Sequence, residues 1–240
     1  MKSVGILVAM WEELNPLRKH WKLEWTGPGD FFCGKWAGLR VQVALSGVGP
    51  RRARAATQLL LKHGQPDLLI SLGYSGALKA DLQAGDCLLA HSIETPQGHL
   101  FYSHPFTSLE NHAARWRPSR LLSVTRLAPT PESKGLLAGQ HPEADAVDME
   151  SSVLAEAAQQ ARLPWRAMRV IIDPMHSALP INFSNCVNDR GQTAAAKLVR
   201  EIAFNPHKIP ALMQFSAFES KARRQLVQCS STLLEVISPW

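Results

Sequence analysis

The sequence predicts an α/β fold: a single three-layer domain whose central twisted sheet, mixed but mostly parallel, is flanked by helices and followed by a helical C-terminal extension over residues 190–240. Three observations carry this. The chain has 240 residues, enough for one well-buried core, and shows no linker of the kind two domains would need. Short apolar runs alternate with segments of helical spacing. The order strand, helix, strand recurs from the N-terminus, and such units build parallel sheets whose ligands gather outside the carboxyl ends of the strands.

Residues 4–9 form the first apolar run, and 11–20 follow with helical composition. Residues 39–45 and 67–72 read as strands, with an Ala/Leu/Arg-rich helix over 50–63 between them. Residues 86–91, 121–125 and 144–147 are weaker strands; 151–161 is a helix and 165–172 a buried strand. The stretch 94–118 reads as an irregular excursion. Beyond Asp173 the chain reads as loop to about Asn188, then helix over 192–204 and 209–237.

Apolar residues make up 45% and charged residues 19% of the chain, which excludes wholesale disorder and a fibrous or coiled-coil protein. No apolar run approaches the roughly 18–20 residues of a spanning helix, and the N-terminus lacks the pattern of a signal peptide, so a cytoplasmic location is expected. Cys33, Cys87, Cys186 and Cys229 are scattered without a CxxC pair and read as reduced thiols. The net charge of +6 is concentrated at one end: from Arg190 to Trp240 there are seven Lys/Arg against three Asp/Glu. That modest excess, with no recognisable motif, argues against a nucleic-acid partner.

Four short segments could carry chemistry. Glu12 and Glu13 follow the first strand, where acids also complement a helix dipole. Ser46-Gly47-Val48-Gly49-Pro50 and Gly73-Tyr74-Ser75-Gly76-Ala77 each follow a strand; their glycines would let backbone N–H groups approach a ligand, or merely serve tight exits. Ser46, Gly73, Ser75 and Gly76 are the candidate contacts there. Asp148-Met149-Glu150-Ser151 joins a strand to a helix, where capping is the plainer explanation. Asp173-Pro174 closes the last strand, a position that turn chemistry alone can explain. None of the nine histidines has convincing ligand spacing, so no metal is expected.

In this order, an acid after the first strand, two glycine loops, Met-Glu before a helix and Asp at the last strand exit resemble the nucleoside phosphorylase/nucleosidase superfamily. The likeness extends over most of the chain, from Val4 to Asp173, and includes 65–70 and Leu82-Gln83-Ala84-Gly85-Asp86. Methylthioadenosine/S-adenosylhomocysteine nucleosidases show similar Ala-Met-acid, Ser-Gly-hydrophobic-Gly and Met-Glu segments. The second half is more similar to hopanoid-associated phosphorylases, in Val147-Asp148-Met149-Glu150-Ser151, in Asp173-Pro174 followed by Ala178-Leu179-Pro180, and in the basic C-terminal helices.

The resemblance implies cleavage of the N-glycosidic bond of a 5'-substituted adenosine such as adenosyl hopane, releasing adenine; methylthioadenosine/S-adenosylhomocysteine nucleosidase activity is the alternative. It implies that Glu13 activates the attacking water, Glu150 holds the ribose hydroxyls, Met149 packs on the sugar and Asp173 protonates the departing base. No cofactor is implied beyond inorganic phosphate as a co-substrate, should the reaction be phosphorolytic. The implied partners are a purine nucleoside and further copies of the chain, as a homodimer or larger homo-oligomer. A non-catalytic nucleoside-binding protein on the same fold is the alternative of another class.

The chain departs from the family pattern in three places. Ile172 stands where Ser usually precedes the strand-exit Asp, removing a hydroxyl near the base. Ser71 and Tyr74 occupy the positions from which related phosphorylases present Arg and Ser to phosphate, which favours hydrolysis. Trp11 lies within the acidic run. In the C-terminal segment Phe215, Phe218, Ala222, Leu226, Cys229 and Leu233 form a helical stripe. It reads either as a helix packed on the domain or a neighbouring subunit, or as a peripheral contact with the inner membrane through which a soluble enzyme reaches a lipid substrate.

Overall fold

The computed structural model describes residues 1–27, 29–105, 115–179 and 209–238. Its centre is a ten-stranded sheet in the order β10-β6-β8-β9-β5-β1-β4-β3-β2, with β7 (Leu100–Tyr102) paired to β6 (Cys87–Glu94). Strands β4 (Leu39–Leu45), β1 (Ser3–Val8), β5 (Leu68–Ala77) and β10 (Trp165–Asp173) lie side by side in parallel register. Antiparallel pairs, including β5 with β9 (Ala146–Asp148) and β10 with β6, make the sheet mixed. Strand β8 (Arg117–Ser123) runs parallel to both β6 and β9.

The apolar runs are continuous because both faces of the sheet are covered. Val4, Ile6 and Val8 of β1 enter one core with Leu14 and Leu17 of α1 (Trp11–His20), while Leu7 enters the opposite core with Ala53 of α2 (Pro50–Leu59) and Leu154 of α4 (Ser151–Gln160). Helix α2 continues through a π-helical turn, Leu60–Gly64. Helix α3 (Pro131–Gln140) starts with Thr130, whose hydroxyl accepts from the Ser133 amide. Its partners are Leu78, Leu122 and Val147.

Several expectations require correction. Residues 73–77 are not a loop: β5 runs through them to Ala77, because β10 pairs with it as far as Gly76. Within the expected excursion, β7 and the start of β8 are regular strands. A short antiparallel pair, β2 (Glu24–Trp25) and β3 (Phe31–Trp36), extends the sheet beyond β4, and α3 was not foreseen. The helix expected over 192–204, Cys186 and Pro180 lie outside the described residues.

The C-terminal helix α5 (Ile209–Ile237) resolves the amphipathic stripe into two parts. Ala222, Leu226, Cys229 and Leu233 are buried against the α1 side of the sheet, and Trp21 Nε1 donates to Ser231 Oγ at 2.9 Å. Packing on the domain therefore accounts for this part of the stripe. Phe215 and Phe218 are half-buried, whereas Ile209 and Met213 at the start of the helix are exposed. No helix among the described residues is long and apolar enough to cross a membrane. Leu226→Ala should lower unfolding free energy in urea by about 2–5 kcal/mol through the cavity it leaves. Arg223→Ala, which removes the exposed partner of a half-buried Glu219, should change it by less than about 0.5 kcal/mol. An unaltered Leu226→Ala midpoint would contradict the packing of this helix.

Candidate active site

One cavity of about 1080 Å³ opens where β1, β5, β8, β9 and β10 end. Ala9 and Met10 approach it from β1, Tyr74, Ser75 and Gly76 from β5, Met149 and Glu150 from β9, and Ile172 and Asp173 from β10. Val48 to Arg52, at the start of α2, and Phe215 and Glu219 of α5 complete much of the rim. Apolar side chains make up most of its lining, among them Leu127, Leu179 and Phe215.

Glu13 is buried at the base of this space. Its Oε2 accepts from the amides of Ala9 (3.1 Å) and Met10 (2.9 Å), and its Oε1 from the amide of Tyr74 (2.7 Å). Desolvation outweighs these bonds and raises its pKa to about 7. Gly73 lies directly beneath: a Cβ there would stand 2.7 Å from Glu13 Oε1. This close approach accounts for a glycine inside a strand.

Glu150 Oε1 accepts from the Gly49 amide at 2.8 Å, a bond allowed by the left-handed backbone of Gly49 (φ 101°). Burial, then the neighbouring Asp148 carboxylate, raises Glu150 to about 7, against the pull of Gly49 and Arg169. Beneath it Asp148 Oδ2 accepts from Arg169 Nη2 (2.6 Å) and Nε (3.0 Å) and from the Ser151 amide (3.1 Å), with the Ser151 hydroxyl also bonded. Arg169 Nη2 also donates to Ser71 Oγ at 2.7 Å. This guanidinium is buried and fully engaged, as a charge in a core must be.

Asp173 lines the opposite part of the cavity lining and is raised to about 6 by burial, against the pull of Lys134. Lys134 has no exposed side-chain surface; its Nζ lies 2.8 Å from Asp173 Oδ2 and donates to the carbonyls of Pro174 and Ser177, both at 2.7 Å. The hydroxyls of Tyr74 and Ser75 are buried and without a hydrogen-bond partner among the described residues. Burial, and then Glu13, raises the Tyr74 phenol.

The structure thus brings Glu13, Ser75, Gly76, Met149, Glu150 and Asp173 to one cavity. Gly73 serves from below, and Ser46 lies outside the lining, its hydroxyl donating to the Gly47 carbonyl at 2.7 Å. Trp11 packs near Phe32, with the Arg18 guanidinium 5.9 Å from its ring centroid. Asp148, Arg169 and Lys134 were missed as site residues. Arg169 carried a signal, a charge inside an apolar strand; Lys134, on a helix of weak periodicity, carried none. Among the described residues, no group of three His, Cys, Asp or Glu side chains could hold a metal ion.

The comparisons with known proteins agree with this architecture. The family model of the Phosphorylase superfamily matches residues 3–118. A 5'-methylthioadenosine/S-adenosylhomocysteine nucleosidase of Listeria welshimeri is 24% identical over 226 residues, covering 82% of this chain and 97% of the relative. The Staphylococcus epidermidis protein of the same name is 26% identical, covering 75% and 90%. Among solved structures, the Neisseria meningitidis nucleosidase in complex with methylthio-immucillin-A superposes with a TM-score of 0.74 at 21% identity, each chain covered in full. A futalosine hydrolase mutant of Helicobacter pylori gives 0.73 at 19%, covering 98% of this chain and all of that one. The family's model thus falls on the first part of the chain, and relatives align along nearly their whole length, so the chain is similar to proteins of the phosphorylase superfamily in sequence and shares the fold of these nucleosidases.

Proposed function

We propose that the protein is an enzyme that hydrolyses the N-glycosidic bond of a purine nucleoside, a 5'-substituted adenosine, and releases adenine. The observation that carries this is the meeting of Glu13, Glu150 and Asp173, from three separate strand exits, in one largely apolar cavity where burial raises each pKa. Pure binding has no need of three partly protonated carboxyls, whereas glycosidic cleavage does.

In the reaction the C1'–N bond breaks and its electron pair passes to the base, which takes a proton from Asp173 at a ring nitrogen. C1' gains oxocarbenium character as water attacks, and the water's proton passes to Glu13. Glu150 accepts from the ribose hydroxyls, and Met149 packs on the sugar. Tyr74 and Ser75 line the cavity beside Gly76, which leaves room next to Asp173. Ile172 presents an apolar wall near the base.

Water is favoured over phosphate as nucleophile because Ser71 is committed to Arg169. The largely apolar lining of the cavity, with Leu127, Leu179 and Phe215, supports a hydrocarbon 5' substituent, adenosyl hopane being the substrate to which the resemblance points. The exposed Ile209 and Met213 would serve a peripheral membrane contact by a cytoplasmic homo-oligomer. Methylthioadenosine and S-adenosylhomocysteine form the second reading, favoured by the names of the relatives.

Incubation with methylthioadenosine, adenosine and a long-chain 5'-alkyl adenosine, with and without phosphate, should release adenine and free sugar without any phosphate requirement. Asp173→Asn should lower kcat by roughly 10²–10⁴-fold with the fold retained. Nucleoside binding without release from any of the three would favour a non-catalytic binding protein. Glu13 must be ionised and Asp173 protonated. With pKa values of about 7 and 6, kcat/KM should climb with pH to about 6, stay level to about 7 and fall above. A profile still climbing at pH 9 would contradict these roles.

A further inference from the structure

Lys134 is unusual in being a fully buried lysine beside the cavity, with each of its three ammonium protons matched by one oxygen: Asp173 Oδ2 at 2.8 Å and the Pro174 and Ser177 carbonyls at 2.7 Å. An unpaired ammonium in such a place would lose its proton, and a purely structural cross-link would need no charge. Other charged groups on the surrounding elements do not compete. Glu132 on α3 and His176 on the turn after β10 are exposed, Arg169 is committed to Asp148, and Glu13 and Glu150 are held by backbone amides. Lys134 is the charged group that acts on Asp173.

We infer that Lys134 is a positioning residue for the general acid: by donating to Asp173 Oδ2, it leaves Oδ1 to carry the transferable proton and neutralises the carboxylate formed when that proton goes to the base. The inference rests on the proposed role of Asp173. Two consequences follow from the geometry. The ammonium holds the acid below the value burial alone would impose, near 6 rather than higher. It also fixes the turn after β10 through Pro174 and Ser177, so the acid cannot rotate away as the base departs.

The test is titration of Asp173 by ¹³Cγ-aspartate NMR, with the resonance identified by its loss in Asp173→Asn, alongside the pH profile of adenine release. Lys134→Met should move the Asp173 midpoint up by about one to three pH units and shift the activity profile to higher pH. Its kcat should fall while KM changes less. Lys134→Gln, which can still donate to a carbonyl but lacks the charge, should show the same upward shift and covers the case in which the Met variant does not fold. An unchanged midpoint and profile in a folded variant, with only the melting temperature lowered, would overturn the inference and leave Lys134 a structural cross-link. The wild-type chain adds a test independent of any variant's folding: the Asp173 resonance should titrate near 6, and a midpoint above about 8 would show that the ammonium exerts no pull. Failure of the underlying reading is separate, because the wild type would then release no adenine whatever the midpoint of Asp173.

Discussion

The site depends on keeping carboxyl groups out of water without letting them fall idle. A buried carboxylate is expelled or neutralised unless hydrogen bonds replace its hydration. For Glu13 the replacement is backbone: three amides, two from the exit of β1 and one from β5, converge on its two oxygens. That arrangement requires β1 and β5 to be neighbours in parallel register, and it requires the strand residue beneath the carboxyl to lack a side chain. Burial and these bonds oppose each other, and the balance leaves Glu13 near neutrality, where a base can both accept and release a proton.

The rest of the sheet extends the same logic. Parallel pairing of β10 with β5 carries Asp173 alongside Gly76, while the antiparallel β9 brings Glu150 to the same opening from the other direction. Beneath these groups the Asp148–Arg169 pair ties β9 to β10; its guanidinium opposes the rise in Glu13 and Glu150, while its carboxylate adds to the rise in Glu150. Around Asp173 that duty falls to a lysine from a helix outside the central strands. Each carboxyl is therefore set by a different partner: amides for Glu13, one amide and a distant guanidinium for Glu150, an ammonium for Asp173. Such separation allows neighbouring acids to take different protonation roles.

The parts of this arrangement legible in the sequence are those marked by an abrupt end of an apolar run. Trp11 before Glu12 and Ile172 before Asp173 are such ends, and the acids just beyond them stand out because strand exits gather ligands. Gly73 to Ala77 misled for a physical reason: two glycines in five residues imitate a loop, whereas here they remove side chains from a strand pressed against Glu13 and β9. Lys134 was illegible because nothing local marks it; its meaning arises only when α3 packs beside the exit of β10. The C-terminal stripe declared an apolar face but not what covers it, and the answer, α1 and the sheet, is tertiary.

The most direct measurement is adenine release by Gly73→Ala. The backbone at this position tolerates alanine, so the substitution chiefly places a methyl group 2.7 Å from the present position of Glu13 Oε1, which must shift. The account predicts a chain that melts within a few degrees of the wild type yet turns over about a hundredfold more slowly, since misplacing a reacting group by an ångström has that order of cost. Undiminished turnover in that variant would show that the seat of Glu13 over Gly73 is not what the chemistry depends on.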